Sequence, residues 1–318
     1  MSIPFIDNRK IDELLPMREC IVVMEDMFRS LAHKTTGQPL RSIMWLPGKK
    51  GLLGMMPGYA VEKGIMGIKV ISVFHGNKQN GLPSHQGIVM LLDAGNGTPL
   101  MLLDAKEITS IRTAAASAVA TKFLANDKAE SLAIIGSGEQ AERHIEAICQ
   151  VRNISQINVW SRNRQNAEEL AEKLKLKYSA PFNVVGSAKE AVKDADIICT
   201  VTSASQPVIA YDWIKPGAHI NAVGACTPNA QEIDAAIMMN AKLYCDCYES
   251  VFNEPGDFLI PFQQGLITKE KITGELSEVI TGTKPGRQKQ IEITLYKSLG
   301  IAAQDIFSAC HIYQKLLS

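Results

Sequence analysis

Apolar and polar positions alternate at two different periods along the chain, and the switches between them divide it into segments. Over residues 107–124 the run EITSIRTAAASAVATKFL sets Ile108, Ile111, Ala115, Ala118 and Val119 at helical intervals, which predicts a helix with a small-residue face. After a break at NDKAE, short apolar runs alternate with helix-like stretches: SLAIIG, then 140–150, QINVWSR, then 165–174, NVVG, then 189–192, DIICTVT and HINAVG. Strands alternating with helices predict βαβ crossovers and a parallel sheet covered on both faces, a doubly wound α/β domain over residues 115–290.

The chain before residue 115 reads differently. A helix over 17–32 precedes strand candidates at 42–46, 51–56, 64–74, 87–93 and 98–104, punctuated by Gly and Pro, with Gly95-Asn96-Gly97 as a turn. Such hairpin-like runs predict a second, mostly antiparallel domain. The final stretch, TLYKSLGIAAQDIFSACHIYQKLL, reads as one long amphipathic helix returning to that domain, so the expected division is 1–114 with 291–318 against 115–290.

Composition narrows the function classes. The 318 residues are 46% hydrophobic and 21% charged, enough apolar material for two cores, and 33 Lys plus Arg balance 33 Asp plus Glu. A chain without net charge has no field to gather a polyanion, which argues against nucleic acid. The longest apolar runs are strand-length, short of the ~20 residues that cross a bilayer, and MSIPFIDNRK lacks the basic start and apolar core of a signal peptide. A cytoplasmic protein is expected, without a membrane or nucleic-acid partner. Seven cysteines without framework spacing are expected to be reduced; Cys245-Asp246-Cys247 has no second Cys/His pair nearby, so no metal is expected.

Two features carry chemistry. The strand SLAII runs into Gly136-Ser137-Gly138-Glu139-Gln140-Ala141, a G-x-G-x-x-A turn that opens a helix. The first Gly allows the tight turn, the second lets backbone approach a pyrophosphate, and the small sixth residue lets helix pack on strand. A dinucleotide is the expected ligand; a glycine turn in an unliganded α/β domain is the alternative. The second strand ends in Trp160-Ser161-Arg162-Asn163-Arg164, with no carboxylate to meet a ribose hydroxyl and with Ser161 and Arg162 available for a 2′-phosphate. NADP(H) is therefore preferred, with NAD(H) as the other option.

The second feature is a set of cations in apolar company: Arg41 in PLRSIMWL, Lys69 in MGIKVIS and Arg112 in ITSIRTAAAS. Burying such charges is costly without a counter-ion, and no acid in their sequence neighbourhood is an obvious partner. A substrate carboxylate fits that role; structural ion pairs or snorkelling side chains are the alternative.

At this point the chain resembles the ornithine cyclodeaminase/mu-crystallin family over essentially its full length. The resemblance rests on Arg41, Met56-Pro57, Lys69, Ser84-His85-Gln86, the run from Arg112-Thr113 to Lys122, the GSGEQ loop, Ala195-Asp196-Ile197, PGAHINAVGA from Pro216, Glu232-Ile233-Asp234, and Lys297-Ser298-Leu299-Gly300. It implies a Rossmann domain plus a β-rich substrate and dimerisation domain completed by the C-terminal helix, and a homodimer. It assigns Arg41, Lys69 and Arg112 to the substrate carboxylate, Lys69 and Arg112 to catalysis, and Glu254 to the substrate side. Ser84, His85 and Gln86 would lie at the nicotinamide end, with Arg112, Thr113, Thr200, Val223 and Ser298 along the cofactor and Ser161, Arg162 and Asn163 at the 2′-phosphate. His85 also reads as a structural histidine.

Ornithine cyclodeaminases place an Asp where this chain has Cys226, and a Glu near the substrate where it has Gly54. Oxidising an ammonium substrate requires a base close to its nitrogen, whereas reducing a preformed cyclic imine does not. The expected activity is therefore an NAD(P)H-dependent oxidoreductase acting on C=N bonds, reducing Δ1-pyrroline-2-carboxylate or Δ1-piperideine-2-carboxylate to proline or pipecolate, with Lys69 exchanging a proton. Ornithine cyclodeaminase, alanine or N-alkyl amino acid dehydrogenase, and a non-enzymatic NADPH-dependent small-ligand binder are the alternatives.

Overall fold

The computed structural model describes residues 3–317; Met1, Ser2 and Ser318, at the outer ends of the segments read above for a leader and for the C-terminal helix, lie outside the described residues. The chain opens with β1 (Phe5–Ile6), α1 (Asn8–Leu14), α2 (Met17–Ala32), β2 (Thr36–Gly37), β3 (Ser42–Trp45), β4 (Leu52–Ala60) and β5 (Ile65–Val73). It continues through β6 (His85–Asp93), β7 (Pro99–Asp104), α3 (Ala105–Leu124), β8 (Ser131–Ile135), α4 (Glu139–Val151), β9 (Gln156–Trp160), α5 (Arg164–Leu174) and β10 (Phe182–Val184). Then follow α6 (Ala188–Val192), β11 (Ile197–Thr200), β12 (His219–Ala222), α7 (Ala235–Asn240), β13 (Lys242–Cys245), α8 (Tyr248–Val251) and α9 (Gly256–Gln263). The last elements are β14 (Ile272–Glu275), α10 (Leu276–Ile280), β15 (Thr294–Lys297) and α11 (Ala302–Leu317). Two compact units result, Met1–Thr113 with Gly300–Ser318, and Ala114–Leu299.

The first unit is built on a sheet of order β1-β7-β6-β5-β4-β2, with β3 on β4. Its pairings are antiparallel except for β1 on β7. The β6–β7 turn forms because the Asp93 carboxylate accepts from the N–H groups of Gly95 and Asn96 while Gly97 takes a left-handed φ of 77°. Helix α2 buries Cys20, Ile21, Met24, Met27 and Phe28, and α11 packs on α2, β4, β5 and β6.

The second unit carries an eight-stranded sheet of order β10-β9-β8-β11-β12-β15-β13-β14, with every strand parallel to its neighbours. This is the expected α/β, Rossmann-type architecture: the order reverses between β8 and β11, the kind of switch point at whose carboxyl strand ends open α/β sheets bind ligands. Strand β8 is buried throughout, so its sequence is a continuous apolar run; Ala133 and Ile135 pack into one core and Leu132 and Ile134 into the other.

One expectation needs correction. Residues 294–297 do not open the C-terminal helix and do not join the first unit: TLYK is β15, inserted between β12 and β13. All four residues are buried, which suits a β-branched and aromatic segment in a central parallel strand, and Gly300 at φ 73° turns the chain before the helix starts at Ala302.

Candidate functional site

The three cations meet within the first unit, on different elements. Lys69 projects from the middle of β5, Arg112 from α3, and Arg41 from the segment before β3, where its Nη2 donates to the Gly300 carbonyl at 2.7 Å. The acid missing from their sequence neighbourhood comes from the first turn of α11. Asp305, fully buried, places Oδ2 at 2.7 Å from Lys69 Nζ and accepts at Oδ1 from Arg112 Nε at 2.9 Å. Its neighbour Gln304 accepts from Arg112 Nη1 at 2.6 Å, and Lys69 also donates to Thr109 Oγ1 at 3.4 Å. For Lys69 and Arg112 the structure thus contains the ion pair that stood as the alternative to a substrate carboxylate, with tertiary packing delivering the acid from the far end of the chain.

Lys69 and Arg112 are 2% and 4% exposed, so solvent does little to damp their interactions. Burial, and then the Arg112 charge, push the Lys69 ammonium down to about 7, against the opposing pull of Asp305. Burial alone would raise the Asp305 carboxyl, but Arg112 and Lys69 outweigh it and hold it below its usual range. A buried lysine titrating near neutrality is suited to exchanging a proton with a bound molecule. At the start of β6, Ser84 Oγ pairs with His85 Nδ1 at 3.0 Å, and His85 and Gln86 are exposed. Thr113 turns its hydroxyl back to the Thr109 carbonyl.

The glycine loop lies in the second unit, between β8 and α4. Gly136 has φ 127°, and a Cβ there would sit 2.8 Å from the Val201 carbonyl oxygen, so no larger residue fits the turn. Gly138 begins α4 without a side-chain cap and with open space where a Cβ would project. The N-terminal end of α4, with its dipole, therefore points at the turn without a capping side chain in front of it, the arrangement that favours an anion there. Ser137 donates to Ser161 Oγ at 2.9 Å, Arg162 is exposed, Asn163 caps α5 by accepting from Gln165 N, and Arg164 pairs with Glu168 at 2.8 Å. Ser298, just beyond β15, buries a hydroxyl that has no hydrogen-bond partner. That orphaned hydroxyl and the open face at Gly138 both fit a bound dinucleotide.

Residues not assigned from sequence complete the ends of the strands. Glu232 is fully buried; it accepts from Thr200 Oγ1 at 2.9 Å and from the backbone N–H groups of Gly224 and Thr202. The Thr200 hydroxyl is therefore committed to Glu232. Lys297 is paired with Asp257 at 3.0 Å and donates to the Ala222 carbonyl, while Asp257 accepts from Glu232 N. Val223 is buried, and its carbonyl accepts from Cys226 Sγ at 3.2 Å. Glu254 is buried at the end of the α8 segment, in the same unit. Glu232 and Lys297 stand inside motifs that carried the family resemblance, yet nothing in their local pattern states what they bind. Asp305 stands out locally as an acid between Gln304 and Ile306 in a mostly apolar stretch of helix, but nothing in that window names the cations it meets. All seven cysteines are free thiols, and among the described residues no group of three or more His, Cys, Asp or Glu is arranged to hold a metal. Among the described residues no helix is long and apolar enough to cross a membrane.

A parallel sheet of this strand order, with a glycine turn leading into an uncapped helix beside the reversal, defines a dinucleotide-binding α/β protein. The chain belongs to the ornithine cyclodeaminase/mu-crystallin family, whose sequence profile matches residues 5–318. It is 38% identical over 276 residues to ketimine reductase mu-crystallin of Rattus norvegicus, covering 87% of this chain and 84% of that one. It is 38% identical over 304 residues to a Δ1-pyrroline-2-carboxylate reductase of Bacillus cereus, covering 95% and 93%. Among solved structures, Δ1-pyrroline-2-carboxylate reductase of Thermococcus litoralis in complex with NADH and L-proline superposes with a TM-score of 0.96 at 37% identity, covering 99% of this chain and 98% of that one.

Proposed function

We propose that this protein is an NAD(P)H-dependent reductase of small cyclic imino acids, converting Δ1-pyrroline-2-carboxylate or Δ1-piperideine-2-carboxylate to proline or pipecolate. The observation that carries the reading is the buried cluster in which Lys69 and Arg112 share the Asp305 carboxylate at 2.7 and 2.9 Å, with burial and the arginine charges lowering the Lys69 ammonium. With Nε on Asp305 and Nη1 on Gln304, Arg112 has Nη2 left for a substrate carboxylate, and Arg41 supplies a second cation. Such a clamp presents the C=N bond in a fixed orientation, and the surrounding charges favour the bound anion. A bound nicotinamide supplies the hydride that the ring carbon accepts. When the substrate arrives as a neutral imine, its nitrogen takes the proton from Lys69 Nζ; the lysine recovers one from solvent after the amine leaves. At the position of the cyclodeaminase Asp, this chain has the Cys226 thiol, which donates to a carbonyl and offers no carboxylate base.

Ser161 and the exposed Arg162 support a preference for NADP(H), since both stand where a 2′-phosphate would meet the end of β9. Free thiols suit a cytoplasmic setting. The side chains Ile43, Met44 and Trp45 of β3, all about half exposed in the single chain, support a homodimer that covers them.

The test is NADPH and NADH oxidation with each cyclic imino acid, run beside L-ornithine plus NAD. Imine-dependent oxidation with an idle ornithine reaction supports the reading. Proline and ammonia from ornithine would establish a cyclodeaminase instead, and tight NADPH binding without turnover of any imine a binding protein.

A further inference from the structure

We propose that Asp305 is a positioning residue of the reaction: its carboxylate holds the Lys69 ammonium and the Arg112 guanidinium in fixed relation and sets the pH range over which Lys69 carries its proton. The proton-donor half of this inference rests on the role proposed for Lys69 above.

Each oxygen of Asp305 serves a different cation, Oδ2 facing Lys69 at 2.7 Å and Oδ1 facing Arg112 at 2.9 Å, so the carboxylate cannot rotate without losing both. Gln304 holds Arg112 at a second nitrogen, so two consecutive residues of α11 fix the guanidinium plane. All three charged side chains are buried, and packing leaves them little freedom to exchange partners.

The groups around Lys69 come from several elements. Arg112 and the Thr109 hydroxyl face it from α3, Asp305 from α11, and Arg41 acts on it from the segment before β3. Cys20 on α2, beside Asp305 and Arg112, is a neutral thiol because burial pushes it up to about 12. Burial and both arginines favour loss of the Lys69 proton; Asp305 is the negative charge that opposes them. Without it the lysine would be deprotonated over most of the neutral range, unable to deliver a proton. The last helix of the chain therefore contributes to the chemistry as well as to the core.

Asp305→Asn separates charge from packing, because asparagine keeps the shape and can still accept from Arg112 Nε. In the full-length protein with NADPH bound, the Lys69 Nζ resonance is followed by NMR with 15N-lysine labelling, and kcat for Δ1-pyrroline-2-carboxylate is measured against pH. Lys69 is expected to titrate at least about one pH unit lower in the variant, with the alkaline limb of kcat moving by the same amount. Asp305→Glu, which restores the carboxylate, is expected to return the limb toward its wild-type position. A Lys69 titration unmoved by Asp305→Asn overturns the proposal. A displaced titration with an unmoved limb supports the hold of Asp305 on Lys69 and removes Lys69 as proton donor, which overturns the earlier reading alone. If the asparagine variant does not fold, the wild-type protein answers the question through the Asp305 carboxyl carbon under 13C-aspartate labelling. That carbon is expected to report the Lys69 transition; a signal without an inflection there overturns the proposal.

Discussion

Gly300 lies against Arg112 so closely that a Cβ at residue 300 would run into the guanidinium, while its carbonyl accepts from Arg41 at 2.7 Å. One glycine thus touches two of the three cations, and its φ of 73° favours a residue without a side chain. Gly300→Ala is expected to lower stability by about 1–2 kcal/mol from the left-handed backbone alone. The displaced Arg112 should lower kcat/KM by about tenfold or more, equivalent to ~1.4 kcal/mol in the barrier. Thermal unfolding and steady-state kinetics on the variant measure both; a variant with wild-type kcat/KM would show that the Arg112 position is not critical.

Lys69 fixes the sign of the pH dependence. Its ammonium, pushed down to about 7 by burial and by Arg112, is the donor form below that pH, so imine reduction should slow as pH rises through about 7. Oxidation of the product amine needs the neutral lysine and should speed up across the same interval. Rates in both directions over a common buffer series check this, and parallel profiles would exclude Lys69 as the shared group.

Arg162 is exposed, so its removal should leave the fold intact. Arg162→Ala is expected to raise the KM for NADPH by about tenfold or more while leaving that for NADH nearly unchanged, the loss of a charge-assisted contact being worth ~1.5–3 kcal/mol. An unaltered ratio of the two constants would overturn the assignment of the 2′-phosphate to this residue.

Glu232 ties the segments after β11 and β12 by accepting from Thr202 N, Gly224 N and Thr200 Oγ1. In Glu232→Gln an amide nitrogen must face one of those donors, at a cost of about 1–3 kcal/mol. The melting temperature should fall, and NAD(P)H titration should show weaker binding. Unchanged values for both would mean that the loops find other partners.

Most of the fold was readable because the signals are local. The apolar run of β8, the alternation over 131–222 and the glycines that turn the chain are properties of neighbouring residues, and they specify strand, helix and turn wherever the segment packs. TLYK was misread because four buried residues carry no usable period; only its place between β12 and β13 makes it a strand.

The candidate site divides in the same way. Its glycine loop and its three cations could be named from the sequence, since a G-x-G-x-x-A turn and a charge among apolar residues are visible in a short window. Their partners could not. Asp305 reaches Lys69 and Arg112 only because α11 packs on β4, β5 and β6, and Glu232 reaches Gly224 and Thr202 only because the chain beyond β12 folds back on the strand ends. Periodicity is set by adjacent residues and survives in any environment. The pairing of buried charges is set by residues far apart in the chain, whose meeting the tertiary structure alone decides.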